Sequence, residues 1–321
     1  MKFPAELLKQ CWFLTGPTAV GKTSATLRIA KDFNAEILSL DSMAVYRRMD
    51  IGTAKPTQSE RQSVLHHLID LADPHHEFSV AEYLRAAVSA VEDVLSRGRI
   101  PLFAGGTGLY LRAILRGLFD GPPANWSLRH RMEQLAQQHG PEYLYHQLIT
   151  VDPPTAARLH VNDQRRIIRA LEVYEVTGVR LSAQQKNAVL PVSQQPAAVF
   201  WLEPNREWLC DRIDRRVEEM MQRGLLEETR RLLNICPAPG RTARQALGYR
   251  ELIAHLEDGL PLQECVDLIR VRTRQFAKRQ HTWFRNMEEC CSISVRPDES
   301  ECQLVDRILN EFRACEDISG Q

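Results

Sequence analysis

The chain has 321 residues, of which 44% are hydrophobic and 26% charged, a make-up that excludes a disordered or fibrous protein. At ~150 residues per domain the length suits about two domains. Its 41 Lys+Arg and 41 Asp+Glu sum to zero, which argues against a uniformly basic coat for nucleic acid but not against a local one. No run of ~18 apolar residues occurs, so no membrane-spanning helix is expected, and no apolar run of signal-peptide length precedes Lys9. Eight scattered cysteines without a CxxC pair read as reduced thiols rather than a zinc ribbon, and a cytoplasmic protein is expected.

The first apolar run, Cys11-Trp12-Phe13-Leu14-Thr15, leads into Gly16-Pro17-Thr18-Ala19-Val20-Gly21-Lys22-Thr23 and a helix starting near Ser24. A strand, then G-x-x-x-x-G-K-[ST], then a helix is a phosphate-binding loop. Glycines let the backbone N–H groups of Gly16, Thr18, Ala19, Val20 and Gly21 turn inward around a phosphate, and the helix presents its positive end. Lys22 adds a point charge, and the Thr23 hydroxyl suits Mg²⁺. The motif leaves open whose phosphate it holds.

Ile37–Leu40 is a second strand ending at Asp41, the carboxyl end where α/β sheets place ligands. Asp41 could hold Mg²⁺ indirectly, act as a general base, or simply cap a helix. The pairs His66-His67 and His75-His76 invite a metal reading, but adjacent side chains diverge and no thiol or acid stands at a zinc-like interval. They are expected in a loop and its flanking turn. Ser79 with Glu82 predicts a capping box, Leu84, Val88, Val91 and Leu95 recur at helical spacing, and Gly98 sits where a C-cap is wanted. A third strand, Ile100–Ala104, ends at Gly105-Gly106, so the Thr107 hydroxyl can converge on Asp41.

From Leu128 to Thr177 the pattern is helical, with breaks at Gly140-Pro141 and Asp152-Pro153-Pro154, and a polar stretch runs from Ser182 to Gln195. Strands Ala198–Leu202 and Cys291–Val295 follow. The expected organisation is an α/β core, a parallel sheet flanked by helices in the manner of P-loop NTPases, built from residues 1–118 and 196–321 and interrupted by a mainly helical insertion at 119–195. Charge is uneven along it. Residues 270–285 hold six Lys/Arg, no acid, and Phe276, Trp283 and Phe284, whereas residues 287–321 hold nine acids and three Arg and read as an acidic tail. A second basic patch is Gln164–Arg169, with Arg165 and Arg169 on one helix face. Basic residues interleaved with stacking rings suit an RNA loop; a solvated helix face is the plain alternative.

The ordered set of motifs resembles the tRNA dimethylallyltransferase (tRNA isopentenyltransferase) family of the shorter, bacterial type. It comprises Gly16–Thr23, Asp41–Pro56, His66–Asp70, Gly105–Tyr110, Gln164–Arg169, Gln245–Arg250 and Lys278–Arg285. The resemblance implies transfer of a dimethylallyl group from its diphosphate to N6 of adenosine 37 in the anticodon stem-loop of tRNA, with Mg²⁺ and with the phosphate loop holding the prenyl diphosphate rather than ATP. By the same resemblance Asp41 is the base, Thr107 its partner, and an arginine from Leu209–Arg216 joins the diphosphate, with Arg216 favoured over Arg212. Contacts to tRNA would fall on Asp41, Ser42, Met43, Ala44, Thr107, Gln164, Arg165, Arg166, Ile167, Ile168, Gln245, Gly248, Tyr249, Arg250, Lys278, Arg279, Gln280, Trp283 and Arg285. Some eukaryotic members carry a Cys₂His₂ zinc module after this point. Here Cys290 and Cys291 are adjacent and no His follows His281, so no zinc is expected. Three rivals remain: a prenyltransferase acting on free adenine nucleotides, a non-catalytic RNA-binding protein, and a nucleotide kinase.

Overall fold

The structure is a computed structural model that describes residues 1–119, 121–184 and 189–319. Six strands pair in parallel in the order β3-β2-β4-β1-β5-β6. They are β1 Trp12–Thr15, β2 Ala35–Leu40, β3 His66–His67, β4 Ile100–Gly105, β5 Ala198–Pro204 and β6 Cys291–Val295. Five match the apolar runs of the sequence. The sixth, β3, is two residues long and pairs with Ile37 and Leu38 at the sheet edge, so His66 and His67 stand on a strand and not in the expected loop. No apolar run marks it, because an edge strand of two residues buries too little to need one.

Strands β1, β2 and β5 are almost wholly buried because helices cover the sheet, whereas the edge strand β3 is half-buried and the edge strand β6 buries only Ile293 and Val295. Side chains alternate between the faces. Trp12 and Leu14 join Ala25 and Ile29 of the helix Lys22–Asp32 and Ile308 and Phe312 of the helix Glu301–Ser319. The Phe312 ring lies 5.0 Å from Trp12 and 4.9 Å from Phe200. Phe13, pointing the other way, stacks on Phe103 at 4.9 Å. The helix Val80–Ser96 carries both halves of the capping box, packs on β2 and β4, and is followed by Gly98 at φ +66°. The expected acidic tail is therefore no solvated tail. Phe312 and Ile308 are fully buried, and Glu289 is buried against Arg116 through two hydrogen bonds of 2.8 Å.

Contacts divide the chain into two compact units, residues 117–188 with Met1 and the remainder. Residues 189–195, drawn into the insertion by their polarity, belong to the sheet unit, where the turn Val192–Gln194 contacts the helix Ala5–Leu8. Residues 120 and 185–188 of the expected insertion lie outside the described residues. The smaller unit contains the helices Trp126–His139, Pro141–Val151 and Gln164–Thr177, with breaks at Gly140 and Asp152. Leu128, Met132, Leu144, Leu148, Ile167 and Leu171 form its apolar core. Beside it Glu172, fully buried, accepts hydrogen bonds from Arg129 (2.8 Å twice), Arg169 (2.6 Å) and the Asn125 amide (2.7 Å). Burial pushes its carboxyl up, but the two guanidinium groups outweigh that and hold it below the usual range.

Candidate active site

The sheet register assembles the site. Leu40 and Thr15 both pair with Gly105, so the next residue on each strand, Asp41, Gly16 and Gly106, leaves the carboxyl edge side by side. Leu40 O accepts from the amides of both Gly106 (3.1 Å) and Thr107 (3.0 Å), which fixes the β4 loop against the end of β2.

In the phosphate loop, Gly21 adopts φ +100°, a conformation costly for any side chain, and the helix begins one residue later at Lys22 rather than near Ser24. The Lys22 amine donates to Gly16 O (2.9 Å) and Pro17 O (2.7 Å). The residue is half-buried as a whole, yet its amine is short of water. Desolvation and the facing Arg216 lower its pKa to about 7, against the upward pull of Asp41. Burial likewise lowers the pKa of Arg216, and Asp41 opposes it. Lys22, Arg216 and Asp41 thus feel one another's charge around one space. Arg212 instead braces the loop, since its Nε donates to Ala19 O at 2.8 Å and its guanidinium lies over Trp208 at 4.8 Å.

Asp41 precedes no helix, which removes the cap reading. Its Oδ1 accepts from the amides of Met43 (2.7 Å) and Ala44 (3.3 Å), and among the described residues no hydrogen bond reaches Oδ2. Thr107 Oγ1 accepts from the Ser42 amide (3.0 Å) and lies 3.5 Å from Ser42 Oγ. One oxygen of the carboxylate is therefore fixed and the other is open to a substrate proton. Among the described residues no group of three or more His, Cys, Asp or Glu could hold a metal. The histidines instead bond locally, His67 to Glu36 (2.6 Å), His66 to Val64 O (2.9 Å) and His76 to Glu82 (2.7 Å). A Mg²⁺ bound with a diphosphate needs only one or two protein oxygens. The Thr23 hydroxyl, exposed at the loop and bonded to no described residue, fits that need.

Several residues expected to touch RNA turn inward. Ile167 and Ile168 belong to the apolar core of the smaller unit. On the same helix Gln164, Arg165 and Arg166 are exposed, but Arg169 is occupied by Glu172 and Pro122 O. Ala44 and Gly248 are buried. Tyr249 is fully buried and donates to Glu228 at 2.6 Å, where apolar packing and a carboxylate suit a phenol better than solvent does. Glu228 also accepts from the amides of Asp50 (3.0 Å), Ile51 (2.9 Å) and Gly52 (3.2 Å), so it moulds the loop that follows Asp41–Ala44. Sequence reasoning missed it, since one Glu in a charged helix carries no signal. Gln245 and Arg250 are exposed and line a surface hollow of about 680 Å³.

Gln280 is the most informative correction. It is 5% exposed; its Oε1 accepts from the Thr18 amide (2.9 Å) and its Nε2 donates to Gly106 O (2.8 Å). A Cβ on Gly106 would sit 2.2 Å from that Nε2, so only glycine admits the contact. Gln280 is a strut between the phosphate loop and the Thr107 loop, and no longer a surface contact. Its helix, Leu262–Arg285, presents Lys278, Arg279 and Arg285 to solvent, while half-buried Trp283 packs under Arg112 at 5.0 Å.

Residues 44–287 match the family described as IPP transferase. The chain is 45% identical over 312 residues to a tRNA dimethylallyltransferase of Symbiobacterium thermophilum, covering 96% of this chain and 97% of that one. It is 40% identical over 307 residues to another from Alkaliphilus oremlandii, covering 95% and 97%. Among solved structures it is similar to a full-length tRNA isopentenylpyrophosphate transferase of Bacillus halodurans, with TM-score 0.67, 35% identity, and 98% and 100% of the two chains covered. A eukaryotic dimethylallyltransferase acting on tRNA superposes with TM-score 0.75 at 28% identity, covering 95% of this chain and 79% of that one.

Proposed function

The chain belongs to the IPP transferase family and transfers a dimethylallyl group to tRNA; from that premise we propose that the donor is dimethylallyl diphosphate and the acceptor N6 of adenosine 37, beside the anticodon. The observation that carries this reading is the Asp41 carboxylate, tethered through Oδ1 and open at Oδ2, at the strand edge shared with the phosphate loop and Thr107.

The chemistry follows from these groups. A bond forms between N6 and the allylic carbon as the carbon–oxygen bond to the diphosphate breaks, and the diphosphate departs with the electron pair. Loop amides, Lys22 and Arg216 offset the charge that develops on it. Mg²⁺, held by Thr23 and diphosphate oxygens, would neutralise that charge further. N6 of adenine is a weak nucleophile, so its proton passes to Asp41 Oδ2, with Thr107 and Ser42 holding the turn. The base must first leave the loop stack, at a cost of about a few kcal/mol. Ser42 and Met43 at the turn, with Gln245, Arg250, Lys278, Arg279 and Arg285, supply tRNA contacts on the sheet unit, and Gln164, Arg165 and Arg166 supply others on the smaller unit. No described helix is long and apolar enough to cross a membrane; we place the reaction in the cytoplasm, with the tRNA.

Incubation with labelled dimethylallyl diphosphate and either tRNA or AMP tests the reading. Label on N6 of adenosine 37 supports it. Label in AMP supports a nucleotide prenyltransferase, ATP consumption without prenyl transfer a kinase, and neither outcome an RNA-binding protein. Asp41→Ala should lower kcat about 10²–10⁴-fold while diphosphate binding persists. Undiminished transfer would remove Asp41 as the base.

A further inference from the structure

A hollow of about 560 Å³ opens in the sheet unit, and no phosphate-loop residue lines it. Arg47, Arg48, Lys55, Arg61 and Arg223 form its wall together with Asp50 and Asp70. The two acids are already matched. Lys55, almost wholly buried, donates to Asp50 (2.8 Å) and Asp70 (2.7 Å), and Arg61 donates to the other Asp70 oxygen at 2.9 Å. Arg47 leans toward Asp73 at 3.4 Å. Arg48 and Arg223 remain, both exposed, with no side-chain hydrogen bond or ion pair to any described residue. Arg223 also lies near enough to Arg216 for their like charges to oppose each other, with Glu219 acting in the other direction.

The wall is held in costly backbone. Arg48 (φ +65°) and Asp70 (φ +55°) adopt the left-handed region, as does Ala54 (φ +48°) next to Lys55. Strain of this kind persists only where the surroundings enforce it, and it gathers at ligand sites. Two unmatched guanidinium groups facing one polar space repel until an anion arrives, and their planar forks fit the oxygens of a phosphate.

We propose that this hollow binds a backbone phosphate of the substrate RNA, with Arg48 and Arg223 as its ligands. The proposal rests on tRNA as the substrate. The prenyl diphosphate offers the same chemistry, but the phosphate loop already provides its cradle. An RNA strand lying over Asp41 brings further phosphates to the segment that follows Ala44, and the hollow's wall begins three residues later, at Arg47.

The test uses the whole protein, an anticodon stem-loop RNA and dimethylallyl diphosphate. The variant R48A/R223A should weaken RNA binding about tenfold and lower the slope of log K against log salt by about 0.7–0.9, the loss of one phosphate contact. The KM for dimethylallyl diphosphate and the melting temperature should not move. R48K/R223K, which keeps charge but not the fork, should retain the slope while binding RNA more weakly than wild type. Unchanged RNA affinity and slope in R48A/R223A would overturn the proposal. So would a raised diphosphate KM with intact RNA binding, which assigns the hollow to the small substrate. If the wild-type protein itself bound no stem-loop, the reading beneath would fall and this proposal with it.

Discussion

The helix Leu262–Arg285 divides at Phe276 into an inner and an outer stretch, and the two use positive charge differently. In the inner stretch each arginine meets an acid on another element: Arg270 meets Glu218 at 2.9 Å, Arg272 meets Glu251, and Arg274 meets Asp214. In the outer stretch Lys278, Arg279 and Arg285 face solvent with no acidic partner among the described residues, while Gln280 and Phe284 point inward. The sequence shows one basic, aromatic strip. The fold shows a clamp followed by a surface open to a polyanion. Charge density alone does not identify a nucleic-acid face: Arg270 also pairs with Asp267 on its own helix, but the acids that meet the inner arginines from other elements stand 21 to 60 residues away in the chain.

The largest expected effect on folding breaks the clamp. Glu251 is almost wholly buried and accepts from Arg272 and from the Gly248 amide (2.8 Å). Arg272→Ala leaves that carboxylate without its cation, which should cost about 3 kcal/mol in folding stability. Chemical denaturation measures it. The double variant Arg272→Met/Glu251→Gln should recover much of the loss, since no buried charge is then left unmatched. The salt dependence of RNA binding should not change in either variant. A shallower slope would mean that the inner stretch also reaches RNA, and the contrast would collapse.

A middle-sized effect sits just past the division. Gln280→Ala leaves the Thr18 N–H and the Gly106 carbonyl without partners, a loss of about 1–3 kcal/mol if water does not replace the amide. The phosphate loop and the Thr107 loop then lose their common strut. The KM for dimethylallyl diphosphate should rise and kcat should fall, with the salt slope of RNA binding unchanged. Gln280→Glu should be worse than Ala for diphosphate binding, because it keeps an acceptor for Thr18 but places an anion beside the loop. A fall in RNA affinity alone would return Gln280 to the surface role that the sequence suggested.

What could be read in advance follows one rule. Apolar runs marked five of the six strands, and the three that end in glycine or aspartate marked the ligand edge, because a buried parallel strand is mostly apolar and a ligand edge must be polar and permissive. The phosphate loop and Asp41 were legible for the same reason: their chemistry is local in sequence. Inward-facing polar residues were not. Gln280, Tyr249 and Glu228 have side chains that suit a surface, and only long-range pairing reveals them as buried and satisfied. Arg169 belongs with them. It completes a basic patch in the sequence, yet in the fold it neutralises Glu172. His66-His67 failed in the opposite direction, since a two-residue edge strand gives no pattern to read.

The smallest effect on folding should come from the outer stretch of the helix. Lys278, Arg279 and Arg285 are exposed, Arg279 lies 5.9 Å from the Phe276 ring, and none has a carboxylate partner among the described residues. Replacing all three with alanine should change stability by no more than about 0.5 kcal/mol per site. The same variant should bind tRNA far less well at low salt, and if each residue meets one phosphate the slope of log K against log salt should fall by about 2. Transfer at saturating tRNA should stay near the wild-type rate, because none of the three reaches the Asp41–Lys22–Arg216 space and Gln280 is left in place. A destabilised variant with an unchanged slope would show that the outer charges hold the fold together as the inner ones do. A shallow slope with intact stability would separate the two stretches by function: one turn further along the helix, the same positive charge passes from holding protein to holding RNA.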